Sequence, residues 1–92
     1  MIQRFRSKAL ERLYHSDDAR GIRPDLVRRI RQILALLDAA QNLHALRGLG
    51  LDLHPLKGDL AGHWSVSVNA NWRITFIFRD GNATGIALVD YH

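Results

Sequence analysis

The spacing of the hydrophobic residues changes near residue 51, and this change restricts the fold more than any other feature of the sequence. Before it, apolar residues recur every three or four positions, as in an amphipathic helix. After it, apolar and polar residues alternate, as in strands with one buried face. A chain of 92 residues supports one core, which helices and strands must share. The sequence therefore predicts a single α+β domain over residues 1–92.

Two helices are predicted in the first half, after a short opening strand, "IQRF". Ser7 is placed to cap the first helix, and Gly21 in "HSDDARG" is a stop signal. Pro24 suits the first position of a second, longer helix. The apolar stripe of that helix consists of Leu26, Ile30, Ile33, Leu37 and Ala40.

Strands joined by tight turns are predicted in the second half. The short "LDLHPL" precedes the alternating "HWSVSVN", and the turn "NAN" leads into "WRITFIF". The hairpin signal "DGN" then introduces "TGIALVDY". This order implies an antiparallel sheet with both helices on one face and the other face open. Trp64 and Trp72 belong to the apolar, core side of the alternation.

Strand pairing predicts where Arg73 points. If the turn at 69–71 sets Val68 opposite Trp72, then Arg73 faces Ser67 on the side away from the tryptophans. The arginine therefore lies on the open face of the predicted sheet.

The next hairpin allows two registers that differ by one residue. Asp90 and His92 accompany Arg73 in the first register, and Tyr91 accompanies it in the second. In both registers the polar ending "DYH" lies beside the arginine, and the stretch "LHPLKG" is within reach of the same region.

Positive charge is concentrated in the first part of the chain. Residues 1–35 hold nine lysines and arginines against four acidic residues, a net of +5, whereas the whole chain carries +4. This asymmetry suits a polyanionic partner, although solvated basic helix faces are common in proteins that bind none. Both interpretations stay open for Arg28, Arg29 and Arg31.

Several classes of protein and site are disfavoured by the composition. The chain has no cysteine, which excludes disulfides and thiolate metal sites, and its histidines lack ligand spacing. We therefore expect no metal and no cofactor. The longest clear apolar run, "ILALL", is too short to cross a bilayer, and the first residues lack the apolar region of a signal peptide. The expected location is cytoplasmic, without a membrane partner.

The segment "LHPLKGDLAGHWSVSVNANWRITFIF", followed by "LVDYH", resembles the HigB toxins of the RelE/ParE superfamily. The opening "MIQRFRSKALERLY" and "RGIRPDLVRRIRQILALLDAA" extend the resemblance over the chain. It implies a RelE-like twisted antiparallel sheet with two N-terminal helices packed on one face. His63 and Ala70 depart from the family pattern, which affects only the expected turn geometry and groove polarity.

The resemblance also implies a function. Toxins of this family are ribosome-dependent endoribonucleases that cut mRNA in the decoding site, and a HigA-type helix-turn-helix antitoxin neutralises them. The expected partners are thus this antitoxin, mRNA and the bacterial ribosome. If the arginines of the second helix bind a polyanion, that polyanion would be ribosomal RNA. The residues that fall on active-site positions are His54, Lys57, Arg73, Asp90, Tyr91 and His92.

Metal-free RNA cleavage needs a base for the 2′-hydroxyl, an acid for the leaving oxygen and cations for the phosphate. Histidine, with an unperturbed pKa of about 6.5, suits the first two roles, and arginine suits the third. We expect His54 and His92 to transfer protons, with Asp90 as base or as orienting group. Arg73 and Lys57 would stabilise phosphate. Tyr91 would position the nucleotide or join the proton network.

Two other functions fit the same fold. A ParE-like inhibitor of DNA gyrase needs no acid–base cluster, and a plain RNA-binding module needs only the basic residues. In either case "DYH" would be a structural hydrogen-bonded knot.

Overall fold

A computed structural model describes residues 1–90. Two helices and a four-stranded antiparallel sheet of order β1-β2-β3-β4 make up the fold. Short 3₁₀ turns at Leu43–Leu46 and Gly58–Leu60 flank β1. The elements are α1 (Lys8–Ser16), α2 (Pro24–Ala39), β1 (His54–Pro55), β2 (Trp64–Ser67), β3 (Trp72–Arg79) and β4 (Asn82–Asp90). The predicted α+β class and the positions of both helices are confirmed.

The first helix begins as predicted and ends within the predicted break "HSDDARG", before Gly21. The Ser7 hydroxyl accepts a hydrogen bond from the backbone N–H of Leu10 at 3.3 Å and caps α1. Asp17 ends the helix in the left-handed conformation, with a φ of 54°. The prediction that Gly21 stops the helix was wrong. A Cβ on Gly21 would lie 2.9 Å from the Cβ of Ala9, so this glycine instead allows a close approach to α1.

The opening segment forms less of a strand than the sequence predicted. Ile2 and Phe5 make isolated parallel bridges to Ala83 and Ile86 of β4. Asp38 of α2 fastens this segment, since its Oδ1 accepts hydrogen bonds from the Ile2 N–H at 2.9 Å and from the Tyr14 hydroxyl at 2.8 Å. The segment therefore covers the outer edge of β4 as an irregular arm.

The β2–β3 hairpin has the predicted register. Ser67 pairs with Arg73 and Ser65 pairs with Thr75. Side chains at alternate positions of the hairpin therefore point to opposite faces of the sheet, and Arg73 lies on the face away from the helices.

Both registers considered for the β3–β4 hairpin occur. Arg73 pairs with Val89, but Ile77 pairs with Thr84, because the register shifts by one residue between Thr75 and Ile77. The second predicted register therefore holds at the end of the hairpin that contains Arg73. The first holds next to the turn.

The core lies between the helices and one face of the sheet. Ile30 and Ile33 of α2 and Ile74 and Phe76 of β3 are completely buried. Trp64 and Trp72 are half-buried and pack against this core, as the alternation predicted. Within residues 1–90, neither helix is long and apolar enough to cross a membrane.

The opposite face is less open than predicted. Ser65 and Thr75 belong to it, yet they are 2% and 5% exposed. Leu56 and Leu60 lie beside them and, with Arg73 and Val89, line an apolar slot of about 170 Å³. The prediction of a bare sheet face was therefore wrong, because the segment between β1 and β2 folds across it.

Candidate functional site

Arg73 forms the floor of a cleft on the face away from the helices. Its side chain is 11% exposed, and its guanidinium has hydrogen-bond acceptors on several sides. Nε donates to the Ser65 hydroxyl at 2.9 Å, and Nη2 donates to the backbone carbonyl of Asp52 at 2.7 Å. The orientation of the guanidinium is thus fixed by neighbours on β2 and on the segment before β1.

The Asp52 carboxylate links Arg73 to His54. One oxygen accepts a hydrogen bond from Arg73 Nη1 at 3.1 Å, and the other lies 2.8 Å from Nε2 of His54. The bond from Arg73, followed by that from His54, holds the pKa of the Asp52 carboxyl below its usual value. A cation, a carboxylate and an imidazole are therefore in contact.

Strand pairing brings these groups together. His54 in β1 pairs with Ser65 of β2, and the same serine pairs with Thr75 of β3. Only β2 therefore separates His54 from the strand that carries Arg73. The cleft between them has a volume of about 400 Å³. Its lining consists of Asp52, His54, Pro55, Leu56, Ser65 and Arg73. This space admits a polar ligand next to the arginine and the imidazole.

Lys57 lies at the end of the same segment but not in the lining of the cleft. It is exposed and precedes the 3₁₀ turn at Gly58–Leu60. A long lysine side chain at this position can reach a ligand that extends beyond the cleft. Its predicted contact with phosphate stays a prediction.

The last described strand ends beside the cleft. Val89 lies opposite Arg73, and Asp90 is exposed and lies opposite Trp72. Asp90 therefore belongs to the opposite face of the sheet from Arg73, as in the second predicted register. Tyr91 and His92 lie outside the described residues. The roles of these three residues stay predictions.

The three arginines of α2 do not share one surface. Arg29 donates from Nη2 to the carbonyls of Gly50, at 3.2 Å, and Ser67, at 3.3 Å, and so ties α2 to the sheet. Arg31 forms an ion pair with Asp17, the residue that ends α1. Arg28 is exposed. The structure thus gives Arg29 and Arg31 local partners, and the predicted contact with ribosomal RNA stays a prediction.

Residues 3–92 match the family described as the RelE-like toxin of the type II toxin–antitoxin system HigB. The chain belongs to the HigB-like toxins. One relative, Endoribonuclease HigB of Proteus vulgaris, is 41% identical over 92 residues, which is the full length of both chains. As a type II toxin, the protein is one half of a toxin–antitoxin pair.

Two solved structures share this fold. The Staphylococcus aureus YoeB–YefM complex contains a chain with a TM-score of 0.66 and 26% identity, over 100% of the HigB-like toxin and 95% of that chain. The crystal structure of YafQ from E. coli has a TM-score of 0.61 over 98% and 91% of the two chains. Its identity is 13%, so this likeness shows the fold alone. The predicted RelE-like architecture is confirmed.

Two polar residues of the cleft in this HigB-like toxin were not predicted as site residues. Asp52 lies two positions before His54, and its carboxylate contacts the imidazole although the backbone at Asp52 is left-handed, with a φ of 53°. The alternation of "HWSVSVN" puts Ser65 on the arginine side of the sheet, but it does not predict that the serine hydroxyl binds the guanidinium. The Asp-x-His spacing was the available signal, and it becomes informative only once Arg73 is known to lie nearby.

Proposed function

We propose that this HigB-like toxin is an endoribonuclease that cleaves mRNA in the decoding site of the bacterial ribosome. The observation that carries the proposal is the joint binding of Asp52 by Arg73 and His54, at 3.1 and 2.8 Å. It brings a phosphate-binding cation and a proton-transfer group to the same cleft. The identity of 41% to Endoribonuclease HigB supports RNA as the substrate.

Arg73 stabilises the charge on the scissile phosphate. A guanidinium matches two phosphate oxygens and keeps its charge throughout the reaction. Because Ser65 and the Asp52 carbonyl already orient Arg73, little reorganisation is needed when charge develops in the transition state. Lys57 adds a second, more mobile positive charge.

Proton transfer is assigned to two histidines. The His54 side chain is 60% exposed at the cleft and so is open to the ribose or to the leaving oxygen. His92 takes the complementary role, and Asp90 orients a histidine or acts as the base. Tyr91 positions the nucleotide. The protein's own side chains thereby supply the acid, the base and the phosphate-binding groups.

We infer the biological setting from the family. A HigA-type helix-turn-helix antitoxin binds the toxin and neutralises it in the bacterial cytoplasm. When the antitoxin is lost, the toxin enters the decoding site. The basic surface of residues 1–35, including Arg28, assists this step by approaching ribosomal RNA.

Mapping of mRNA 5′ ends on programmed ribosomes tests this function. Purified toxin should cut the message on the ribosome and cut naked RNA weakly, and His92→Ala should abolish the cut. His44→Ala is a matched control, since His44 is exposed in the 3₁₀ turn at Leu43–Leu46, away from the cleft lining. A folded wild-type protein that leaves the message intact would contradict the proposal.

A further inference from the structure

The Arg73 guanidinium is held by two partners besides the Asp52 carboxylate. Nε is held by the Ser65 hydroxyl at 2.9 Å. Nη2 is held by the backbone carbonyl of Asp52 at 2.7 Å, and any residue at position 52 would supply that carbonyl. What the Asp52 carboxylate adds is therefore a negative charge at the arginine.

That charge occupies the position that suits a phosphate. The carboxylate accepts from Arg73 Nη1 with one oxygen and bonds His54 Nε2 with the other, so it bridges the two groups assigned to the substrate. Carboxylate and phosphate oxygens compete for the same guanidinium hydrogens. A phosphate that binds beside an intact Asp52–Arg73 pair also meets a like charge at short range.

Asp52 is able to leave this position at low cost. Its side chain is 58% exposed, whereas that of Arg73 is 11% exposed. The residue lies in the segment between the first 3₁₀ turn and β1, so rotation about its χ1 carries the carboxylate into solvent without moving a strand. The pair is thus a fixed cation with a displaceable anion.

We propose that the Asp52 carboxylate is an internal competitor for the phosphate subsite and sets how tightly the cleft binds RNA. In the unbound toxin it bridges Arg73 and His54, and an RNA phosphate displaces it when the substrate enters. The naming of RNA as the competing ligand rests on the proposed function. The competition itself concerns any phosphate.

Titration of purified toxin with inorganic phosphate, followed by the NMR signal of the Arg73 Nε–H, tests the competition at the site itself. Asp52→Asn removes the charge, keeps the side-chain shape and tolerates the φ of 53° at this position. The Kd for phosphate should fall by about tenfold, because a like charge near the bound anion is removed. Asp52→Gly, which also accepts this backbone conformation, should act in the same direction.

Asp59→Asn is the matched control. It makes the same change in net charge at an exposed position that is outside the lining of the cleft. Its Kd should equal that of the wild type, which separates a local effect from the general effect of one fewer acidic residue.

Unchanged or weaker phosphate binding in both Asp52 variants would overturn the competition and make Asp52 a positioning residue. This failure differs from failure of the proposed function. If the variants bind phosphate more tightly while no form of the toxin cuts ribosome-bound mRNA, the competition stands and the assigned reaction is wrong.

Discussion

On β3 of the β2–β3 hairpin, apolar core residues alternate with polar residues, so that neighbouring positions point to different faces of the sheet. Ile74 and Phe76 point to the helices and are completely buried in the hydrophobic core. Arg73 and Thr75 point the other way, to a face that the segment between β1 and β2 covers. One face thus supplies burial, and the other supplies polar groups in fixed positions. Substitutions at neighbouring positions of one strand should therefore affect different properties.

The largest effect is expected on the helix side. Phe76→Ala should lower the free energy of unfolding by about 3–5 kcal/mol, because it leaves a cavity in the core. Urea unfolding measures this loss. The fraction of the variant that remains folded should cut mRNA at the wild-type rate. A stable but inactive Phe76 variant would show that the two faces are not separate in function.

Arg73→Ala tests the other face. Cleavage on the ribosome should fall by roughly a hundredfold or more, the scale for removal of one preorganised donor. Arg79→Ala is the control on the same strand, since Arg79 is exposed near the hairpin turn. Near-wild-type cleavage by the Arg73 variant would refute the phosphate role of this residue.

Ser65→Ala should have a smaller effect on the same face. The change removes the acceptor of the Arg73 Nε–H, so the guanidinium loses one of its fixed partners. Cleavage should fall roughly tenfold, as expected for one buried hydrogen bond. Ser67→Ala, on the same strand and the same face, is the comparison, since its hydroxyl bonds the Asn69 carbonyl. Equal losses in both variants would point to general damage of β2.

The smallest expected effect is on the stability of the protein in acid. It involves the arm of residues 2–6, which Asp38 binds. The Ile2 N–H and then the Tyr14 hydroxyl lower the pKa of Asp38 from its usual 3.8. Because the folded-state pKa is lowered, the stabilisation is complete above the usual pKa and is lost as the pH falls through the lowered value. Urea unfolding at about pH 7 and about pH 3 should show the difference between wild type and Asp38→Asn shrinking in acid. A difference that is constant with pH would contradict this role of the carboxylate.

The parts of the fold that follow from local periodicity were predicted from the sequence. The alternation of "HWSVSVN" and "WRITFIF" predicted the register of the β2–β3 hairpin and the side of the sheet on which Arg73 lies. The second hairpin was ambiguous because the structure contains both registers, joined by an irregularity between Thr75 and Ile77. No residue pattern distinguishes two registers that coexist.

The remaining features depend on contacts between distant parts of the chain. Asp52 lies 21 residues from Arg73, and Arg29 reaches the carbonyl of Ser67 across 38 residues. Contacts between residues this far apart in sequence leave no periodic signal. The same is true of Gly21. A glycine is needed there because Ala9 approaches closely, and not because of the turn that contains Gly21. The sequence thus identified candidate site residues by their chemical type, whereas only the structure identified the residues that they contact.

The arm of residues 2–6 has a consequence for how the toxin folds during synthesis. Its bridges are to Ala83 and Ile86, so the earliest part of the described chain is held by the latest strand. Contacts this distant in sequence form late and slow the folding of a small domain. Val89 of the same strand lies opposite Arg73. A nascent chain therefore lacks one wall of the apolar slot beside Arg73 until β4 has been made, so the surroundings of the arginine are completed only after that strand has left the ribosome.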